Sequence, residues 1–331
     1  MSGKLVIGVD IGGTKVAAGL VSAQGEILQQ ARVPMVSTGD AATGLAAVTR
    51  AVRDILRNAR DPQVSAIGVC CPGPLDPKTG VVINPPNLTC WRQFPLADAI
   101  AQTFGIPVAV DNDANAAALA ETLWGAASGY RHVFYGTIGT GIGTGIVLDG
   151  RIYEGATGAA GEGGHMGIDI NGPTCPCGKR GCIEVLASGP GIAKRARKKL
   201  MDGRNSKLLE LSHGNSEDVT SEMVSQAYRS GDVVATEVMQ ETLRALAYWL
   251  GNIIDLLDPD IIVLGGGVAN MFRDLLDDIR RRLRGACVNP SAQHIPIVLA
   301  RYGEDAGIAG AAALVRAQAA SSAVATLTQT K

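Results

Sequence analysis

Four potential metal ligands lie within eighteen residues of this chain, at His165, Cys175, Cys177 and Cys182. One imidazole and three thiolates form a donor set that a closed tetrahedral zinc site uses. Glycines and a proline lie between them, so the loop can fold back on itself and bring the ligands together. Reduced core cysteines are the alternative interpretation, and the four-ligand spacing favours structural zinc.

Two glutamates lie beside these ligands, Glu162 before His165 and Glu184 at the end of the motif. A loop that folds around a metal would therefore also position two carboxylates. If one ring nitrogen of His165 binds zinc, the other becomes an N–H donor in a fixed tautomer. With Asn87 and Asn112, these groups could bind a sugar, which needs many hydrogen-bond partners. A solvated loop is the alternative interpretation for the two glutamates.

A glycine turn near the N-terminus joins two predicted strands and reads Asp10-Ile11-Gly12-Gly13-Thr14-Lys15. Gly12 and Gly13 allow backbone N–H groups to face an anion. Thr14 adds a hydroxyl donor, Lys15 adds positive charge, and Asp10 could hold Mg²⁺ through water. The turn therefore predicts phosphate binding, and an ordinary hairpin turn is the alternative.

Two further glycine runs follow strands in the second half of the chain. Residues 139–145 alternate glycine with Thr140, Ile142 and Thr144, and together with the first turn they suggest two hairpins that grip one polyphosphate. Residues 265–267 are three glycines after a buried strand, which suits either an adenosine site or a packing turn. Neither a Walker loop nor a dinucleotide G-x-G-x-x-G fingerprint is present, which argues against a dinucleotide oxidoreductase.

Asp113 follows a short strand and opens an alanine-rich helix. Aspartate is favoured as a helix N-cap, so capping is one interpretation. The other is a catalytic base, because a helix N-terminus stabilises an ionised carboxylate that can accept a hydroxyl proton. A protein catalyses phosphoryl transfer mainly by positioning the reactants, neutralising their charge and providing such a proton acceptor.

The strands and glycine turns that carry these residues occur twice along the chain. Strands are predicted near residues 5–9, 16–21 and 27–32, and a similar strand, glycine loop and strand near 131–148. This repetition predicts two α/β lobes with a cleft between them. Apolar spacing predicts long helices over about 40–59 and 234–257, a last helix over about 307–319, and a disordered tail from Ser321.

The 331-residue chain has a formal net charge of −1, so nothing in its charge indicates a nucleic-acid or membrane partner. It contains no predicted secretory signal and no apolar segment long enough to span a membrane. Its seven cysteines are an odd number, which favours a reducing cytoplasm over a disulfide framework.

Taken in order, these motifs resemble the ROK family of sugar kinases and repressors, and most of all its bacterial glucokinase branch. The resemblance covers nearly the whole chain and includes the Gly161-Glu162-Gly163-Gly164-His165 segment and the Pro86-Asn87-Leu88 segment. It implies a two-lobed α/β fold of the actin-like ATPase (ribonuclease H-like) class with a central cleft. The expected boundaries are 1–118 together with 304–331 for the smaller lobe and 119–303 for the larger lobe, which carries the zinc loop.

The resemblance also implies ATP-dependent phosphorylation of a hexose at the 6-hydroxyl, with Asp113 as the base. It implies sugar binding by Asn87, Asn112, Asp113, Glu162, His165 and Glu184. It implies zinc ligation by His165, Cys175, Cys177 and Cys182. It implies contacts to ATP and Mg²⁺ by Asp10, Gly12, Gly13, Thr14, Lys15, Thr140, Gly141 and Gly266.

Glucose is the expected hexose, with mannose, fructose or an N-acetylhexosamine as alternatives, and polyphosphate is an alternative donor. At Gly163 the family usually has a larger apolar residue, which predicts a looser sugar pocket here. The first strand begins about five residues from Met1, which leaves no room for the DNA-binding segment of the family's repressors. A sugar-binding regulator without catalysis is the alternative from another class, and a homodimer or homotetramer is the family expectation.

Overall fold

The computed structural model describes residues 5–59, 63–201 and 203–328. Groups of short strands and groups of helices follow one another along the chain. The strands are β1 Leu5–Ile11, β2 Lys15–Val21, β3 Ile27–Pro34, β4 Val64–Cys71, β5 Leu75–Asp76, β6 Val81–Val82, β7 Phe94–Pro95, β8 Val108–Asn112, β9 Val133–Ile138, β10 Ile142–Leu148, β11 Arg151–Ile152, β12 Ile261–Gly265 and β13 Ile297–Leu299.

The α-helices range from single turns to seven turns. They are α1 Ala41–Asn58, α2 Leu96–Phe104, α3 Asp113–Leu123, α4 Ile183–Ala187, α5 Gly189–Met201, α6 Lys207–Leu211, α7 Ser221–Arg229, α8 Val233–Leu257, α9 Leu276–Arg282 and α10 Ala306–Thr328. None of the helices in the ranges that the structure describes is long and apolar enough to cross a membrane.

The chain divides into two compact units. Unit 1 comprises residues 1–131, 145–161 and 301–331, and unit 2 comprises residues 132–144 and 162–300. Strand β10 begins in unit 2 and continues into unit 1. The lobe boundaries expected from the sequence, 1–118 with 304–331 and 119–303, stay a prediction.

Unit 1 is built on a five-stranded sheet in the order β3-β2-β1-β4-β8. β1, β2 and β3 pair antiparallel as a meander, whereas β4 pairs parallel with both β1 and β8. Helices α1 and α2 bury Val48, Val52 and Ile100 against one face. Helices α3 and α10 cover the other face. The parallel strands β1, β4 and β8 carry the glycine turn and Asp113 near their carboxyl ends, where ligands bind in such sheets.

Alanines and glycines allow α10 to pack very close to this sheet. A Cβ added at Gly68 would lie 1.7 Å from the Ala311 carbonyl oxygen, and one added at Gly8 would lie 2.0 Å from the Ile308 carbonyl oxygen. Real side chains never approach this closely, so both positions require glycine. The helix continues through Thr328, beyond the end expected near Ala319. The expected disorder of the tail from Ser321 stays a prediction, and residues 329–331 lie outside the described residues.

Unit 2 contains three parallel strands in which β12 pairs with β9 on one side and β13 on the other. The long helix α8 follows its predicted range to within one residue and buries Trp249 completely. The Trp249 ring packs edge-on against Phe134 of β9, and its Nε1 donates a 3.0 Å hydrogen bond to the Gly163 carbonyl. The core of unit 2 thus holds the loop that leads to the four potential metal ligands.

Candidate functional site

In unit 1 the glycine turn predicted to bind phosphate is a tight hairpin between β1 and β2. The Gly12 N–H donates to the Lys15 carbonyl at 2.9 Å, and the Met35 N–H donates to the Thr14 carbonyl at 2.9 Å. A Cβ added at Gly13 would lie 3.1 Å from the Asn87 carbonyl oxygen. The absence of a side chain at Gly13 therefore lets the Asn87 segment pass directly over the turn.

Asp10 ends β1 beside this turn and is surrounded by unlike and like charges. Burial raises the pKa of its carboxyl, and the negative charge of Asp113 raises the pKa further. A hydrogen bond from Cys70 and the charges of Lys15 and Arg32 act in the opposite direction. The Asp10 carboxyl is an oxygen donor whose ionised form a divalent cation would stabilise, so this residue fits the Mg²⁺ expected from the sequence.

Asn87 occupies an exposed turn whose flanks are anchored in the core. The Leu88 N–H donates to the Pro85 carbonyl, and the Trp91 N–H donates to the Leu88 carbonyl, each at 3.1 Å. Leu88 and Trp91 are fully buried, and the Trp91 indole donates to the Ala41 carbonyl. The exposed amide of Asn87 is thus held on a rigid support, which suits a recognition residue.

Asn112, rather than Asp113, is the N-cap of α3. Its Oδ1 accepts a 2.8 Å hydrogen bond from the Ala114 N–H, and Asp113 is the first residue within the helix. The capping interpretation of Asp113 is therefore wrong. The Asp113 carboxyl is exposed, and its Oδ1 also accepts from the Ala114 N–H at 2.8 Å. It lies at the positive end of the helix, where an ionised carboxylate is stabilised.

Asp111, two residues before Asp113, is a buried carboxyl that the sequence reasoning missed. It is only 5% exposed, and its Oδ1 accepts from the Asn112 N–H at 2.6 Å and from the Asn115 side-chain amide at 3.1 Å. Burial raises its pKa to about 6 in spite of these hydrogen bonds. Asp111 lies near the end of β8, and Asn115, four residues further on in the first turn of α3, is the sequence signal that could have revealed its buried partner.

In unit 2 the four potential metal ligands converge. All four ligand atoms lie within 4.8 Å of one another. The Cys175 Sγ is 3.6 Å from the His165 Nδ1, and the Cys177 Sγ is 3.7 Å from the Cys182 Sγ. Tetrahedral zinc with Zn–S bonds of about 2.3 Å separates its sulfurs by about 3.8 Å. The donors and their spacing therefore fit zinc, and ligation through Nδ1 would leave His165 Nε2 as an N–H donor.

Glu184 lies in the first turn of α4, two residues after Cys182. Its Oε2 accepts a 2.9 Å hydrogen bond from the Ile142 N–H, and a Cβ added at Gly141 would lie 2.7 Å from this oxygen. Gly141 therefore has a role that the sequence reasoning did not foresee, since it lets the carboxylate reach the backbone. This bond fixes one oxygen of Glu184 and leaves Oε1 able to accept from a ligand hydroxyl.

Glu162 is exposed at the entrance to a 3₁₀ turn over Gly163–His165. The Gly163 N–H donates to the buried hydroxyl of Thr144 at 2.9 Å, and a Cβ added at Gly163 would lie 2.8 Å from that hydroxyl. The space that a larger residue would fill is thus taken by Thr144. The glycine does not open a void beside Glu162, so the looser pocket expected from the sequence does not follow from this substitution.

A cavity of about 770 Å³ adjoins the Thr140 loop within unit 2, and we call it the donor cavity. Apolar groups from the first turn of α5 and from Val268 line part of it, beside basic side chains of α5. The lining includes Thr140, Lys194, Arg197, Lys198, Met201 and Val268. The sequence reasoning missed the α5 residues, although the basic run at helical spacing in residues 194–199 was a visible signal.

Gly266 has a positive φ of 86° at the end of β12, and a Cβ there would lie 2.4 Å from the Ile138 carbonyl oxygen. Packing against β9 alone therefore requires glycine at this position, which supports the packing-turn interpretation. Val268, two residues further on, lines the donor cavity. A role of Gly266 itself near a nucleoside stays a prediction.

Known proteins of one family share this architecture. A model of the ROK family matches residues 6–318. The chain is 34% identical over 316 residues to the glucokinase of Streptomyces coelicolor, covering 94% of this chain and 98% of that protein. It resembles the crystal structure of a ROK glucokinase from Streptomyces griseus in complex with glucose and AMPPNP, with a TM-score of 0.76, 36% identity and coverage of 93% and 98%. The predicted fold class is confirmed by this likeness.

Two other similarities point to different members. The chain is 33% identical over 309 residues to the N-acetylmannosamine kinase of Vibrio cholerae, covering 92% of this chain and 97% of that protein. It also resembles a ROK transcriptional regulator, with a TM-score of 0.83 and 29% identity over 95% of this chain and 78% of the regulator. These similarities define the alternatives that any functional conclusion has to separate.

Proposed function

The chain belongs to the ROK family, and we propose that it transfers the γ-phosphoryl group of ATP to the 6-hydroxyl of a hexose, with glucose as the preferred substrate. The observation that carries this proposal is the exposed carboxylate of Asp113 in the first turn of α3. A silent sugar-binding protein would have no use for a base held there. The glucokinase relatives support glucose as the hexose.

In this proposal Asp113 accepts the proton of the sugar hydroxyl as the oxygen attacks the phosphoryl group. The helix N-terminus keeps the carboxylate ionised before the reaction. In the same proposal Asn87, Asn112, Glu162 and Glu184 bind the sugar through their free acceptors and amide donors, and His165 binds it through its Nε2 donor. The side chains of Asn112 and Glu184 are held by hydrogen bonds to the backbone, so these two groups lose little entropy when the sugar binds.

The phosphate groups of ATP are bound in this proposal by the Asp10–Lys15 hairpin in unit 1 and by Thr140 and Gly141 in unit 2. The donor cavity next to Thr140 supports this assignment, because its apolar wall suits a base and its lysines suit phosphates. Asp10 would hold Mg²⁺, which neutralises charge on the transferring phosphoryl group when bound. Polyphosphate stays an alternative donor.

We also propose that His165, Cys175, Cys177 and Cys182 hold a structural zinc ion. Zinc would fix the loop between Glu162 and Glu184, because its ligands lie within the segment that these two residues bracket. A cytoplasmic location and a homodimer or homotetramer stay predictions from the sequence and the family. Nucleic acid and membranes stay excluded only as expectations from charge and composition.

A kinase for N-acetylmannosamine is the second candidate, because a relative with that name is 33% identical over nearly the whole chain. A non-catalytic regulator is the third, because a regulator shares the fold. The two kinase candidates share the base and differ in the sugar, whereas the regulator would not turn over ATP.

The test is a coupled ADP-release assay with Mg·ATP against glucose, mannose, fructose, N-acetylglucosamine and N-acetylmannosamine. The isosteric variant Asp113→Asn should lower kcat about a hundredfold or more while sugar binding persists, because a general base typically contributes that much. Asp98→Asn, at an exposed aspartate of α2, is the matched control and should behave as wild type. Preference for another sugar would refute glucose, and near-normal turnover of Asp113→Asn would remove Asp113 from the mechanism.

A further inference from the structure

A second cavity of about 670 Å³ lies in unit 2 between α5, α8 and the loop of the four potential zinc ligands (residues 165–182, the zinc loop). We call it the basic cavity, because Arg180, Lys194, Arg195, Lys198 and Arg244 line it against only two carboxylates, Asp169 and Glu241. Five positive and two negative side chains leave an excess of three positive charges at one place. The whole chain carries a net charge of −1, so this excess is local.

The two carboxylates are already engaged. Glu241 pairs with Arg195 at 3.2 Å and with Lys199 at 2.8 Å, and Arg195 also donates to the Leu186 carbonyl at 2.6 Å. The Asp169 Oδ1 accepts from the Asn171 N–H at 2.9 Å. These contacts order one side of the basic cavity, where Glu241 neutralises the charge of Arg195.

The other four cations are exposed and keep their charge for a ligand. Among the residues that the structure describes, no carboxylate lies within ion-pair distance of Arg180, Lys194, Lys198 or Arg244. Lys194 and Lys198 are one helical turn apart on α5, so they share one face. Arg244 lies on α8, and Arg180 lies on the zinc loop. The charges thus come from three separate elements that surround the same space.

From this arrangement we propose that the basic cavity is a second anion site that binds a small molecule carrying two or more phosphate groups. Arginine side chains bind phosphate oxygens in pairs, and lysines add point charges. Among the described residues these four cations face one remaining carboxylate, Asp169, and the resulting excess of three positive charges matches the charge of an inorganic oligophosphate or of a sugar bisphosphate. A single carboxylate or monophosphate would neutralise only part of this charge.

The site is coupled to the donor cavity through two shared side chains. Lys194 and Lys198 line both cavities, whereas Arg180 and Arg244 line only the basic cavity. An anion in the basic cavity would draw the two lysines away from the donor phosphates. It should therefore raise KM for ATP and leave KM for the sugar unchanged. This regulatory step rests on the proposed function, whereas anion binding itself does not.

The direct test measures binding of inorganic tripolyphosphate and of fructose 1,6-bisphosphate to the zinc-loaded protein by isothermal titration calorimetry without Mg²⁺, at low and at 0.5 M salt. The double variant Arg180→Gln, Arg244→Gln should weaken binding about tenfold, since each exposed ion pair contributes a few-fold. Arg229→Gln, at an exposed arginine at the end of α7, is the control and should bind as wild type. Unchanged zinc content and melting temperature would establish that the double variant is folded.

The two ligands separate the sources of the phosphate. Binding of tripolyphosphate alone would support an inorganic chain, and binding of the bisphosphate would support a phosphorylated metabolite. If the double variant binds the ligands as tightly as wild type, the anion lies in the donor cavity and the proposal is overturned. The proposal is also overturned if neither ligand binds to the wild type at low salt. Because these readouts need no turnover, they can fail while the kinase assay succeeds, and the reverse also holds.

Discussion

Replacing Asp111 by asparagine should change how the stability of the protein depends on pH. The Asp111 carboxyl is 5% exposed, and burial raises its pKa to about 6 from an unfolded value of 3.8. The folded state therefore holds this proton more tightly than the unfolded state. The stabilisation from this group is fully present below pH 3.8 and is lost as the pH rises through about 6.

The magnitude follows from the two pKa values. A difference of about two units corresponds to about 3 kcal/mol in total, at about 1.4 kcal/mol for each unit. Part of that change falls below pH 5, so between pH 5 and pH 8 the wild type should lose roughly 1 kcal/mol through this group. Asp111→Asn keeps the oxygen that accepts from the Asn112 N–H and Asn115, but it cannot ionise. It should therefore gain roughly 1 kcal/mol relative to wild type over this range.

The assay is urea denaturation of both proteins at pH 5, 6, 7 and 8 in one buffer salt. The quantity compared is the difference in their free energies of unfolding, in which most other titrating groups cancel. Asp98→Asn, at an exposed aspartate of α2, is the control for an Asp-to-Asn substitution as such. A flat difference for Asp111→Asn would refute the reasoning, because it would mean that the hydrogen bonds to Asp111 fully offset its burial.

Two further predictions concern unit 2. Cys177 is the exposed one of the three cysteines proposed to bind zinc, so Cys177→Ala opens no core cavity. It should abolish zinc by metal analysis and lower the melting temperature by roughly 5 °C or more, through loss of a metal-bound loop. Cys287→Ala should retain zinc, and wild type without zinc would contradict the assignment. Glu184→Gln should raise KM for the sugar about tenfold, because it weakens a charged acceptor, while KM for ATP changes less than twofold; an equal rise in both would place Glu184 outside the sugar site.

Local patterns were enough to predict the features that depend on neighbours in sequence. The meander β1–β3 and the helix α8 follow their predicted ranges closely, because hydrophobic spacing and turn glycines act over a few residues. The convergence of His165 with three cysteines also follows from a short loop with flexible glycines. The end of α10 was missed for a related reason: residues 320–331 contain no glycine or proline, so no local signal marks where that helix ends.

Features that depend on distant packing could not be predicted from the sequence. The role of Gly141 becomes visible only when Glu184, far along the chain, reaches the Ile142 N–H. The space beside Gly163 is filled by Thr144 from β10, which no motif comparison could show. The sequence suggested a ligand at Gly141 and a void at Gly163. In the structure the side chains of Glu184 and Thr144 occupy the space beside these two glycines.

The atoms that a Cβ would meet distinguish the glycines required by packing from the glycines that bear on function. Gly266 and Gly164 would each clash with a backbone carbonyl if they carried a Cβ, at 2.4 Å and 1.8 Å. Packing accounts for both, so neither needs a ligand to explain it. Gly12 has only a contact of 3.5 Å within its own turn, and Gly139 has open space. Because nothing in their surroundings demands glycine, the open faces of these two turns are where an approaching phosphate explains the residue best.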